Sequence, residues 1–229
     1  MIPLRDDNPS SIKPYVTYAV LGLCVVVFLW QLSLGTGPEG RAAVYAFGVI
    51  PAVLLGPAEL PAGIAVVPPV ATVFTSMFMH GGLMHLIGNM LYLWIFADNV
   101  EDTMGHVRFV VFYLLCGIAA VLAQALPDPS SEVPMIGASG AISGVLGAYL
   151  LLFPHARVLV GLPLGFFLHT FHLRAVLVLG FWFVLQLLSS AVGSGGAGVA
   201  FRAHVGGFVA GMLLIPLFAP GRIGLFRRR

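Results

Sequence analysis

The stretch "PMIGASGAISGVLGAYLLLFP", residues 134–154, decides how the rest of the chain is read. It is apolar, rich in small residues and bounded by two prolines. The residue before a proline resists the α conformation, so a helix beginning near Ala138 stops before Pro154. At 1.5 Å per residue such a helix is about 22–24 Å long, short of a hydrocarbon core of roughly 30 Å. A membrane segment of this kind would place Ser139, at its start, below the outer surface of a bilayer. The alternative is a short core helix of a soluble protein.

Composition separates the two. Of 229 residues, 59% are hydrophobic and only 9% charged, whereas soluble domains carry about 25% charged residues. Runs near the roughly 20 residues needed to cross a bilayer recur at about 16–34, 76–97, 108–126, 138–153, 174–191 and 202–219. The first is too long, and "QLSLGTG" too unlike a cleavage site, to be a signal peptide. The expectation is an all-α integral membrane bundle of six spans in one domain, residues 1–229.

Orientation follows from the cations. Arg5, Lys13, Arg108, Arg157, Arg174, Arg222, Arg227, Arg228 and Arg229 fall on one side of the predicted topology, and only Arg41 and Arg202 on the other. The positive-inside rule then puts both termini in the cytoplasm. The loop 35–75 is long, proline-rich and apolar, which predicts a segment lying in the outer leaflet. Residues 155–173, "HARVLVGLPLGFFLHTFHL", read as interfacial on the other side.

Polar groups within membrane spans are costly and are therefore functional candidates. Span two offers His80, His85 and Asn89, span four Ser139 and Ser143, span six His204, with Gln124 and Gln186 near span ends. At a helix N-terminus, unpaired N–H groups and the positive dipole end suit a developing oxyanion. Gly137 and Gly140 would let a substrate backbone come close. The competing reading is a small-residue packing face formed by Gly140, Ser143, Gly144 and Gly147. His204 can act as a base near neutrality, and Gly207 and Gly211 share its helix face, a seam that could lie against span four. His204 could equally be a packing histidine bonded to a carbonyl.

His85 and Asn89, four residues apart, share a helix face and could donate to an oxyanion, or bond ordinarily between helices. His80 reads as structural. None of the nine carboxylates lies beyond residue 132, so a triad aspartate is not expected, with Glu132 the remote candidate. The histidine would be oriented by packing or by Tyr149 or Tyr92. No glutamate accompanies a histidine in the zinc-protease pattern, and no two carboxylates face each other within the bilayer. His169 and His172 are not assigned a metal, and no cofactor is expected. Cys24 and Cys116 read as buried helix residues. The net charge of +2, with no basic patch interleaved with aromatics, argues against nucleic acid.

Taken together, "HGGLMHLIGNM" (80–90), "GASGAISG" (137–144) and "AHVGGFVAG" (203–211) resemble the rhomboid intramembrane serine proteases, in order and spacing, over residues 15–219. The resemblance implies a Ser139 nucleophile, a His204 base, and an oxyanion site of His85, Asn89 and the Ser139 N–H. It implies cleavage of other proteins' transmembrane segments near their outer ends, without a cofactor. Lipids and transmembrane substrates would be the partners, and a bacterial plasma membrane the place. A silent relative that escorts membrane clients is the alternative, although such proteins normally lack the serine or the histidine. The first loop departs from many members in having no Trp-Arg pair in "VYAFGVIPAVLL". The turn "DNVEDTMGHVRF" resembles the acidic turn after span two in bacterial members, with Glu101 and Asp102 expected to cap the next helix.

Overall fold

The computed structural model describes residues 1–165, 167–192 and 200–222. Arg227, Arg228 and Arg229, counted above for orientation, lie outside the described residues, as does much of the connection before span six. Nine helices and three strands occur in the order β1 (Ile2–Asp6), α1 (Tyr15–Leu34), α2 (Pro38–Phe47), α3 (Pro51–Leu54), α4 (Pro69–Thr75), α5 (Leu83–Met104), α6 (His106–Ala125), α7 (Ser139–Leu152), β2 (Arg157–Leu164), β3 (Phe167–Arg174), α8 (Ala175–Val192) and α9 (Phe201–Phe218) among the described residues. A 3₁₀ turn, Ser76–Phe78, follows α4.

By length and composition α1, α6, α8 and α9 can each cross a membrane. A fifth span arises if α4 and its 3₁₀ turn are joined to α5 across an 81° bend, and α7 is a shorter apolar helix. The expected span 76–97 is therefore shifted: its first residues belong to the bent entry, and α5 continues to Met104. The bend is held by Gln31 of α1. Its Nε2 donates to the His80 carbonyl at 3.1 Å and its Oε1 accepts from the His80 N–H at 2.9 Å, replacing backbone partners that the break removes.

α7 is the buried axis of the bundle, packed by α5, α6 and α9. Of its 14 residues, all but Ser139 and Leu150 are buried. In lipid no hydrophobic force draws helices together, so close backbone packing must do so. The predicted glycine seam supplies it. A Cβ on Gly207 would lie 2.0 Å from the Gly140 carbonyl oxygen, and one on Gly211 1.9 Å from that of Gly144. Gly147 meets the Phe208 carbonyl in the same way at 2.2 Å.

The all-α expectation needs correction at one end. Arg157–Leu164 pairs antiparallel with Phe167–Arg174, and β1 pairs antiparallel with β2, giving a sheet of order β1-β2-β3. Along β2, Val158 and Val160 are fully buried while Arg157 is exposed. That period of two marks a strand with one covered face. The apolar run that suggests an interfacial segment is thus a pair of strands, whose third partner, β1, lies more than 150 residues away in sequence.

The acidic turn also differs from expectation. Glu101 caps α1 instead of α6: its carboxylate, fully buried, accepts from the Val16 and Thr17 N–H groups at 3.0 and 2.8 Å and from Thr17 Oγ1 at 2.7 Å. Asp102 accepts from the Ser11 N–H and hydroxyl. Gly105, at φ +79, makes the tight α5–α6 reversal.

Candidate active site

The α7–α9 seam fixes where two polar side chains meet. Ser139 is the first residue of α7, so its own N–H lacks an intrahelical partner. The chain enters this position through Gly137, whose N–H donates to the Ser76 carbonyl at 2.9 Å, and through a bridge between Val49 and Met135. On α9, the Ala203 N–H donates to Gln124 Oε1 of α6 at 3.3 Å, which holds the first turn bearing His204.

Ser139 Oγ lies 2.8 Å from His204 Nε2. On the other side of the ring, His204 Nδ1 lies 2.7 Å from Gln186 Oε1 of α8. The Trp182 ring, one turn earlier on α8, is 5.9 Å from that of His204, and Phe201 stands edge-on at 6.3 Å. Ser143 donates back to the Ser139 carbonyl at 2.6 Å, within the helix.

α5 forms the opposing wall. The Gly81 N–H donates to His85 Nδ1 at 3.3 Å. With Nδ1 accepting, the neutral ring carries its hydrogen on Nε2. A Cβ on Gly137 would lie 2.9 Å from His85 Nε2 and 3.7 Å from Ser139 Oγ, so the two side chains flank the space that a side chain at 137 would fill. Its φ of +129 is a conformation reserved in practice for glycine. One turn along, Asn89 is buried and its Nδ2 has no hydrogen-bond partner. A buried amide donor without a partner is costly.

Other candidates sit as follows. Gly140 is buried against Ala120 of α6, its missing Cβ 2.6 Å from the Ala120 methyl, in keeping with the packing reading of that residue. Tyr149 and Tyr92 do not orient His204: Tyr149 donates to Asp6 at the sheet end, and Tyr92 packs on Phe96 and Trp182. Glu132 is exposed in the α6–α7 connection. His169 and His172 lie on β3, away from this cluster. His80 is buried beside His85, rings 5.3 Å apart, with Nδ1 near the Phe78 carbonyl at 3.2 Å and Nε2 unpartnered. Among the described residues no group of three or more His, Cys, Asp or Glu is arranged to hold a metal ion.

The contribution of Gln186 was not foreseen. Its signal was present in the sequence as an amide in an otherwise apolar span, but no spacing rule links it to His204, 18 residues later across a connection.

Comparison with known proteins gives the family. A family model described as the rhomboid domain matches residues 68–221. The rhomboid protease GluP of Bacillus subtilis is 27% identical over 221 residues, covering 95% of this chain and 37% of that protein. The putative rhomboid protease YdcA of the same organism is 29% identical over 140 residues, 61% of this chain and 63% of its own. Rhomboid protein 1, mitochondrial, of Saccharomyces cerevisiae is 32% identical over 150 residues, 63% and 38% of the two chains. The chain thus spans between roughly a third and two thirds of the length of these relatives.

Proposed function

The chain belongs to the rhomboid family, and on that premise we propose that it is an intramembrane serine endopeptidase, with Ser139 as nucleophile and His204 as general base. The observation that carries this reading is the 2.8 Å separation of Ser139 Oγ and His204 Nε2 inside an apolar bundle. Without a reacting group such a polar pair is a cost in lipid.

In the proposed reaction, Oγ attacks a peptide carbonyl as His204 Nε2 takes its proton. The tetrahedral oxyanion is held by the Ser139 N–H, His85 Nε2–H and the Asn89 amide. His204 then protonates the leaving amine, the C–N bond breaks, and an acyl-enzyme ester remains on Ser139. Water attacks the ester with His204 again accepting a proton, and the acid product leaves as Oγ regains its hydrogen. No cofactor enters any step.

The substrates are transmembrane segments of other proteins, cut near their outer ends. A backbone in lipid satisfies its polar groups only as a helix, so the scissile bond must sit where the helix is weak, beside glycine, proline or polar residues. In the bilayer the chain forms one six-span domain, counting α7 as a span. The sheet end, which carries Arg5, Arg157 and Arg174, faces the cytoplasm under the positive-inside rule. A bacterial plasma membrane is the proposed setting.

The test is cleavage of a single-span substrate in liposomes by wild type, Ser139→Ala and His204→Ala, with fluorophosphonate labelling in parallel. The proposal expects cleavage and labelling in wild type and neither in Ser139→Ala, each protein being folded. A wild type that binds single-span clients but neither cuts them nor labels would leave a client-binding relative as the correct reading.

A further inference from the structure

Serine hydrolases commonly rely on a third group that fixes which histidine nitrogen carries hydrogen, and among the described residues no carboxylate is hydrogen-bonded to His204. We propose that Gln186 is the positioning residue of this site, its carbonyl holding the His204 ring with Nδ1–H outward and the Nε2 lone pair toward Ser139. The proposal rests on the proteolytic reading above and extends it from a pair to a Ser–His–Gln chain.

Gln186 Oε1 can only accept, and it lies 2.7 Å from His204 Nδ1. That contact requires hydrogen on Nδ1. A neutral imidazole carries one ring hydrogen, so Nε2 is left with its lone pair, 2.8 Å from Ser139 Oγ, which is what a general base needs. Were the ring protonated on Nε2 instead, it would donate to Oγ and could not accept its proton. The charge-neutral amide also suits the surroundings, since a buried carboxylate in a membrane span would be costly without a partner.

Placement adds a second point. The buried residues of α8 are Ala175, Val178 and Leu179, at the sheet end. Towards the other end Phe181, Val184, Leu185, Leu187 and Leu188 are exposed on its outer faces. The Trp182 ring and the Gln186 amide are the α8 groups that meet His204. The tautomer of the base is thereby tied to the seating of α8 against α9, and a loosening of α8 would release it.

Gln186→Leu keeps bulk and removes the acceptor, and Gln186→Glu keeps an acceptor at nearly the same reach. For Gln186→Leu we expect kcat to fall by about ten- to a hundredfold, part of what a general base contributes. KM should stay within about twofold, the signature of a transition-state effect. Gln186→Glu should recover most of the lost turnover. In ¹⁵N-histidine spectra, the wild-type His204 ring should be protonated on Nδ1, and Gln186→Leu should lose that preference. Unchanged kcat in folded Gln186→Leu, equal damage from Leu and Glu, or a wild-type ring protonated on Nε2 would each overturn the proposal. If wild type neither cuts nor labels at Ser139, the proteolytic reading fails, while the ¹⁵N tautomer still decides the role of Gln186.

Discussion

Tyr149, nearly three turns along the helix that begins at Ser139, donates its hydroxyl hydrogen to the carboxylate of Asp6 in the N-terminal strand. The two residues are 143 positions apart, and the bond ties the sheet to the buried axis of the bundle. Around it the Arg157 N–H donates to Asp7 Oδ1 at 2.7 Å, and the Asn8 and Asn99 amides bond to each other. The strand, the hairpin and the ends of α5 and α7 thus form one polar layer beneath an apolar bundle.

That layer should respond to pH. Burial pushes the Asp6 carboxyl from its ordinary 3.8 up to about 6; the Tyr149 hydroxyl opposes the shift and the nearby Asp98 and Asp7 charges add to it. The folded state therefore binds a proton that the unfolded chain has already lost between those two values. Stability falls as pH rises through this window, and the penalty is complete above about 6. Asp6→Asn retains an acceptor for Tyr149 and carries no charge. Its Tm advantage over wild type should grow from about pH 4 to about pH 6 and then level off. A difference that does not change with pH would refute this account of Asp6.

The α7–α9 seam predicts opposite outcomes for two glycine-to-alanine changes. At Gly211 a methyl would sit 1.9 Å from the Gly144 carbonyl oxygen and 2.6 Å from its carbon. Backbone cannot yield as a side chain does, so α9 must move off α7 and carry His204 away from Ser139. Gly211→Ala should cost about 1–3 kcal/mol and most of the cleavage activity. At Gly22 of α1, nothing lies within 4 Å of the added carbon, and alanine there should stabilise by about 0.5–1 kcal/mol. Thermal unfolding in one detergent measures both.

The helices and the small-residue faces were legible because each is written in local spacing, and the Ser139–His204 meeting because both residues stand on such faces. Small residues at i, i+4 and i+7 mark a close face, and apolar runs of about 20 residues mark spans. Apart from the local β2–β3 pairing, whose apolar run reads equally as an interfacial segment, what escaped was written between separate elements. β1 finds β2 some 150 residues on, Glu101 caps a helix that precedes it by more than 80 residues, and Gln186 reaches His204 from another helix. The bend before α5 was also hidden, because Gln31 supplies its backbone partners from a different span.

Glu101 offers a direct measure of such a distant cap. Its carboxylate satisfies two N–H groups at the start of α1 and the Thr17 hydroxyl, with His106 Nδ1 2.6 Å from Oε1. Glu101→Ala would orphan those donors in a buried setting, at about 1–3 kcal/mol for each left unsatisfied. The expected result is a lower Tm together with faster protease nicking ahead of Tyr15. Asp102→Ala, which loses contacts to exposed Ser11 only, should change Tm by less than about 0.5 kcal/mol equivalent. Equal effects from the two variants would contradict the capping role.

Asn89 separates function from stability most sharply. Its buried Nδ2 has no hydrogen-bond partner among the described residues, and on the proposed reading an incoming oxyanion would take up that donor. Removing one such donor from an oxyanion site costs about 10²–10³ in kcat, whereas removing an unpartnered amide hydrogen-bonding group costs the fold little. Asn89→Ala should therefore lose about a hundredfold in kcat while its Tm stays level or rises. Asn89→Asp, similar in shape but presenting a charge to the oxyanion, should be at least as inactive. Steady-state cleavage and thermal unfolding on the same preparations decide the matter. A variant that unfolds in proportion to its loss of turnover would make Asn89 a structural residue, and the oxyanion would then rest on His85 and the Ser139 N–H.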